Sequence, residues 1–171
     1  SLAGCAGRVI SRDLTESKTE LIEENIDRLG ITNVTVEAWD AKILDESLIG
    51  MADVVIADLP CSGLGIMGRK NDIKYNVTAT GIEELSQLQR EILDVVSQYV
   101  KPGGTLVYST CTRDSEENQK NVQWFLKNHE FQIAGIDDIV PGHGGDRGYV
   151  TLLQGIDECD GFFISKFVRK K

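Results

Sequence analysis

The sequence predicts an α/β domain built on a mostly parallel sheet, and three observations predict it. Short apolar runs alternate with helical periodicities along most of the chain, which is the pattern of βαβ units. The first four runs lead into acidic or thiol side chains: Asp13, Asp40, Asp58 with Cys61, and Cys111. Near the tail, Tyr149 to Leu153 and Phe162 to Val168 flank a polar turn and read as an antiparallel pair.

Arg8 to Asp13 reads as the first strand. Ser17-Lys-Thr-Glu20 has the form of a capping box, and Leu21, Ile22, Ile26 and Leu29 make the apolar face of the helix it opens. Gly30 stands where a helix stops in the left-handed conformation. Val34 to Trp39 alternates as a second strand and runs into Asp40. Val54 to Ala57 is apolar throughout, as expected of a strand covered on both faces. Residues 61–79 carry glycines and charges without a period and read as a long functional loop. Thr80 with Glu83 suggests the cap of a helix whose inward residues are Ile82, Leu85, Leu88, Ile92, Val95, Val96 and Tyr99. Lys101-Pro-Gly-Gly104 breaks it before a fourth strand, Thr105 to Ser109. Asp114 with Glu117 caps a further helix with Val122, Phe125 and Leu126 inside, and Phe131 to Ile136 reads as a strand.

The 171 residues suit one domain, 1–171, large enough for a real core. A composition 41% hydrophobic and 26% charged is that of a soluble globular protein. No apolar run approaches the ~18 residues of a membrane span, and no secretory leader stands out, so a cytoplasmic protein with reduced thiols is expected. Cys5, Cys61, Cys111 and Cys159 are scattered without a Cys-x-x-Cys pair, which argues against a metal site. Cys5 and Cys159 read as structural. The net charge of −9 argues against a broadly nucleic-acid-coating surface. Two local basic clusters remain, Arg69-Lys70 with Lys74, and Arg169 to Lys171.

In open α/β sheets, ligands bind outside the carboxyl ends of the strands. An acid closing an early strand commonly accepts hydrogen bonds from ribose hydroxyls, a role that suits Asp13. Asp40 suits the exocyclic amine of an adenine, with Trp39 or an aliphatic neighbour stacking on the ring. Gly63-Leu-Gly65-Ile-Met-Gly68 matches G-x-G-x-x-G but is followed by Arg69-Lys-Asn-Asp72, not by a helix, so dinucleotide binding there is disfavoured. Its glycines instead suit a sharp turn or the close approach of backbone to a flat ligand. Cys61, in Asp-Leu-Pro-Cys-Ser-Gly, and Cys111, in Ser-Thr-Cys-Thr, lie in polar settings unlike those of core cysteines.

At these residues the chain resembles the RNA (cytosine-5) methyltransferases of the bacterial type that act on 16S ribosomal RNA. ADLPCSGLGIMGRKNDIKYN is similar to that family's motif IV and VYSTCT to its motif VI. VISRDL and WDA resemble the two motifs that hold S-adenosylmethionine, and TLLQGIDECDGFFISKF the terminal hairpin. The resemblance implies a Rossmann-like class I S-adenosylmethionine-dependent methyltransferase sheet, with a C-terminal antiparallel hairpin and ribosomal RNA as partner. It implies Cys111 as the nucleophile on C6 of a flipped-out cytosine, Asp58 as reader of the base's N3/amine edge, and Cys61 as the group that aids C5 deprotonation and release. Asp13, Asp40 and Asp58 fall on the cofactor side, and Pro60, Arg69 and Lys70 on the RNA side.

The family's first motif, a strand with an Asp-x-Cys-Ala-Ala-Pro-Gly-Gly-Lys-type loop, should precede Arg8, where only Ser1 to Gly7 stand. These residues resemble the remnant of the helix after that motif. The expectation is therefore a fragment without that central strand or an N-terminal RNA-binding domain, which alone binds cofactor weakly or not at all. Two other functions compete with methyl transfer: a nicotinamide-dependent oxidoreductase using the Gly63–Gly68 loop, which requires a helix from Gly68, and a non-catalytic RNA-binding module.

Overall fold

The computed structural model describes residues 7–70, 72–142 and 147–171, without the side chains of residues 74 and 76. Cys5 and most of the segment compared to a helix remnant lie outside the described residues. The described chain forms two compact units that part between Leu44 and Asp45. Its strands fall into two sheets rather than one.

In the first unit β1 (Val9–Asp13) and β2 (Val34–Ala38) run parallel, joined by α1 (Glu16–Leu29). The helix begins one turn's fraction earlier than its sequence signal, after Thr15, whose side chain makes no capping bond. Thr19, read as part of the capping box, is buried instead, its hydroxyl donating to the Glu16 carbonyl at 2.8 Å. Gly30 ends the helix at φ 63°, as expected. The apolar face is narrower than expected: Leu21 and Leu29 are exposed, while Ile22 and Ile26 are half-buried.

In the second unit β3 (Ala52–Asp58), β4 (Val100–Thr110), β7 (Phe162–Arg169) and β5 (Phe131–Ile133) lie side by side in that order, and β6 (Tyr149–Leu152) also pairs with β7. β3 and β4 are parallel; β7 is antiparallel to β4 on one edge and to β6 and β5, which share its other edge. The terminal pair expected from sequence is thus β6–β7, and β7 is an interior strand. Between the strands run α2 (Ile73–Asn76), α3 (Ala79–Val96) and α4 (Gln119–Asn128).

Period-two alternation sorts the sheet into a core face and a half-covered face. Leu106 and Tyr108 of β4 share the core face with Phe163 and Phe167 of β7, and all four are fully buried. Phe125 of α4 joins them, its ring centroid 4.8 Å from that of Phe167 and 5.1 Å from that of Phe131. β3 departs from expectation. Ala57 is buried, but Val54 and Ile56 are 49% and 54% exposed, so the run is not covered on both faces. Apolar character reports what a strand can bury, not what packs on it.

Several boundaries also differ from the sequence reading. Lys101 to Gly104 lies inside β4 as a bulge rather than before it: Ala52 pairs with Val100, and Val54 with Thr105. α3 is capped by Thr78, whose hydroxyl accepts from the Gly81 N–H at 3.0 Å, not by Thr80. α4 starts at Gln119, and Asp114 caps only a turn, accepting from the Glu116 N–H at 2.8 Å. β5 ends at Ile133, and Ile136 is buried beyond it. Cys159 is exposed, which removes its structural role in the core. Among the described residues no helix is long and apolar enough to cross a membrane, and no three His, Cys, Asp or Glu side chains group to hold a metal.

Candidate active site

β3 and β4 run in register to their carboxyl ends, where Asp58 stands opposite Ser109. The Leu59 N–H donates to the Ser109 carbonyl at 3.1 Å, so the chain leaving β3 stays against β4 for one more residue. This brings the two thiols together: Sγ of Cys61 and Sγ of Cys111 lie 3.1 Å apart, both half-buried. Asp58 is exposed at the end of β3 and accepts from the Ser109 hydroxyl, two residues before Cys111, at 2.9 Å. Burial, and then the contact with Cys111, pushes the Cys61 thiol up to about 12, so it keeps its proton at neutral pH. A cavity of about 250 Å³ opens beside Cys61, walled by Ile73, Val77, Thr78, Ile82 and Leu85.

The loop after Cys61 is tied down by backbone. The Gly65 N–H donates to the Cys111 carbonyl at 3.0 Å, and the Gly65 carbonyl accepts from the Gly161 N–H at 2.9 Å. A Cβ on Gly65 would lie 2.1 Å from the Gly161 oxygen and 2.8 Å from the Cys111 oxygen. At Gly65 the close approach expected of these glycines is therefore made to the chain's own backbone, whereas Gly63 and Gly68 face the side chains of Ile73 and Gln154. Among the described residues only the one-turn α2 lies between Gly68 and α3, which begins at Ala79. The helix required by a dinucleotide fingerprint is not there, and the oxidoreductase reading fails on that point.

Beneath both loops lies a buried polar network that sequence reasoning missed. Glu117 is fully buried and accepts from the Ser62 N–H at 2.9 Å, the Ser62 hydroxyl at 2.5 Å and Gln89 Nε2 at 2.9 Å. Gln89 Nε2 also donates to the Pro60 carbonyl at 2.9 Å. Asn121 Nδ2 donates to Gln89 Oε1 at 2.7 Å, and the buried Tyr108 hydroxyl donates to the Glu117 carbonyl. Burial raises the Tyr108 phenol above its ordinary range. Sequence did carry a signal for part of this: Ser86 and Gln89 fall on the same helical stripe as Ile82 and Leu93, and a polar side chain on a buried stripe needs a buried partner.

The remaining site candidates are spread more widely. Pro60 is exposed, and Arg69 pairs with Asp160 at 2.9 Å while staying 76% exposed; Lys70 is exposed too. Asp13 and Asp40 belong to the first unit, at the carboxyl ends of β1 and β2. Asp13 accepts from the Leu14 N–H at 2.7 Å and Asp40 from the Lys42 N–H at 2.9 Å, so each has an oxygen engaged by nearby backbone. The Arg12 guanidinium sits 4.6 Å from the centroid of the Trp39 ring.

A family model described as 16S rRNA methyltransferase RsmB/F matches residues 1–168. The chain belongs to that family. Ribosomal RNA small subunit methyltransferase F of Klebsiella pneumoniae (strain 342) is 32% identical over 168 residues, 95% of this chain and 35% of that protein. The chain thus spans about a third of the length of this curated relative. Among solved structures, NSun6 from Pyrococcus horikoshii with SFG superposes at a TM-score of 0.80 with 28% identity, over 96% of this chain and 42% of that one. A methyltransferase homolog protein from the same organism gives 0.77 with 27% identity, over 95% and 53%. The fold is accordingly the Rossmann-like class I methyltransferase fold, which the N-methyltransferase NodS from Bradyrhizobium japonicum shares at 12% identity and a TM-score of 0.58, over 96% of this chain and 74% of that one.

Proposed function

We propose that this chain carries the reacting groups of an enzyme that transfers a methyl group from S-adenosylmethionine to C5 of a cytosine in ribosomal RNA. The observation that supports this most is the pair of thiols 3.1 Å apart beyond the ends of adjacent parallel strands, one of which ends at Asp58. A disulfide-forming or structural pair would need no acid and no cavity at its side.

A cytosine ring carbon is a poor nucleophile until a thiolate adds to its neighbour. Cys111, as thiolate, bonds to C6 and makes C5 electron-rich; C5 then takes the methyl group from the sulfonium. Asp58, anchored by Ser109, holds the N3/amine edge of the base. Release requires loss of the C5 proton and of the sulfur at C6. Cys61 begins protonated, and its sulfur lies 3.1 Å from the sulfur that must leave. Its proton passes to Cys111 as the C6–S bond breaks, and Cys61 takes the C5 proton in exchange. Asp13 and Asp40 are assigned to the ribose and adenine of the methyl donor. Pro60, Arg69 and Lys70 are assigned to the RNA, whose base must leave its stack to reach the thiols. The enzyme would work in the cytoplasm.

The test uses the complete natural protein carrying this segment, with RNA containing 5-fluorocytosine and S-adenosylmethionine. A covalent adduct should form, and Cys111→Ala should abolish it. An adduct that persists in this variant overturns the assignment of the nucleophile. On natural RNA, Cys61→Ala should instead leave protein trapped on its substrate.

A further inference from the structure

Glu117 and Asn118 are adjacent, fully buried and polar, and each grips a different cysteine loop. Glu117 takes the Cys61 side: its carboxylate accepts both the N–H and the hydroxyl of Ser62 and shares Gln89 with the Pro60 carbonyl, so both neighbours of Cys61 hang on one cluster. Asn118 takes the Cys111 side: its Oδ1 accepts from the Thr110 hydroxyl at 2.6 Å and its Nδ2 donates to the Thr112 carbonyl at 2.9 Å, so it grips the residues on both sides of Cys111. Between the residues that these two side chains hold, the Ser62 and Thr112 hydroxyls touch at 2.8 Å.

We propose that Glu117 and Asn118 are positioning residues with separate duties, Asn118 aligning Cys111 for attack and Glu117 aligning Cys61 for release. This rests on the cysteine roles proposed above. Two thiols that exchange a proton must be held in register, yet must be able to separate when the cytosine ring enters and bonds to one of them. Separate side chains on the two loops meet both needs, whereas one shared anchor would move both thiols together. A misplacement of about an ångström costs a reacting group on the order of a hundredfold in rate. Each grip should therefore matter chiefly for the step that its own cysteine performs.

The experiment compares Glu117→Ala and Asn118→Ala in the complete natural protein, measuring adduct formation on 5-fluorocytosine RNA and release from natural RNA separately. Glu117→Ala should slow release roughly ten- to hundredfold and leave adduct formation within about threefold, so that trapped protein accumulates. Asn118→Ala should show the reverse. Glu117→Gln should restore release, because an amide can still accept from the Ser62 and Gln89 N–H groups while its NH2 donates to the Ser62 hydroxyl. Should Glu117→Ala not fold, Glu117→Asp carries the same test, since its shorter side chain withdraws the carboxylate from Ser62 and Gln89 and leaves the Ser62–Thr112 contact in place. Equal losses in both steps for both residues would overturn the division of duties and leave a purely structural network. Persistence of the adduct in Cys111→Ala would instead overturn the cysteine roles themselves, so the two failures are separable.

Discussion

Replacing Gly65 with alanine would set a methyl group 2.1 Å from the Gly161 oxygen and 2.8 Å from the Cys111 oxygen. Neither contact involves a side chain that could swing aside; both neighbours are backbone. To relieve the overlap the loop must lift, which breaks the Gly65 N–H bond to Cys111 and the Gly161 N–H bond to Gly65. Two lost backbone hydrogen bonds cost about 1–3 kcal/mol together, and overpacking of a tight contact about 1–3 kcal/mol more. The expected loss is about 2–6 kcal/mol, or roughly 4–24 °C in Tm for a chain of this size. Because the Cys111 carbonyl is one of the displaced groups, adduct formation should fall together with stability. Thermal unfolding of Gly65→Ala beside Gly135→Ala, where a Cβ has nothing within 4 Å, separates a local clash from a general cost of losing glycine. A Gly65→Ala protein with unchanged Tm and full adduct formation would refute the idea that this crossing fixes the Cys111 turn.

Other outcomes follow from the same geometry. Thr78→Ala should destabilise by about 1 kcal/mol, whereas Thr80→Ala should be neutral or slightly stabilising, because only Thr78 caps α3; urea unfolding of both variants checks it. The Cys61 thiol holds its proton more tightly when folded, so its contribution to stability is complete below about pH 8.5 and is lost as pH rises toward 12. Cys61→Ser should flatten the decline of stability between about pH 8.5 and 10, and denaturation curves showing the same decline in both proteins would rule this out. Phe167→Ala should cost about 3–5 kcal/mol by opening the cluster with Phe125, read out as a lowered denaturant midpoint. Arg69→Ala should weaken RNA binding and reduce its salt dependence while leaving Tm nearly unchanged, because an exposed pair with Asp160 adds at most about 1 kcal/mol; filter binding at two salt concentrations measures it.

The sequence by itself determined which strands exist and what stands at their ends. Period-two runs, a glycine at φ 63° closing α1 and the terminal antiparallel pair are local consequences of side-chain chemistry, and they were legible. So was the placement of Asp58, Cys61 and Cys111 at the ends of β3 and β4, because a side chain that follows an apolar run emerges where the strand does. Tertiary structure alone decided the rest. Glu117 has the spacing of a cap and serves instead as a buried acceptor for a loop 55 residues away, a partnership no local pattern encodes. Gly65 matches a phosphate-loop motif, but its need for glycine comes from Gly161, nearly a hundred residues on. Val54 and Ile56 have the hydrophobicity of a covered strand and stand exposed. Local propensity fixes the conformation of a segment, while burial and hydrogen-bond satisfaction depend on what the rest of the chain delivers to it.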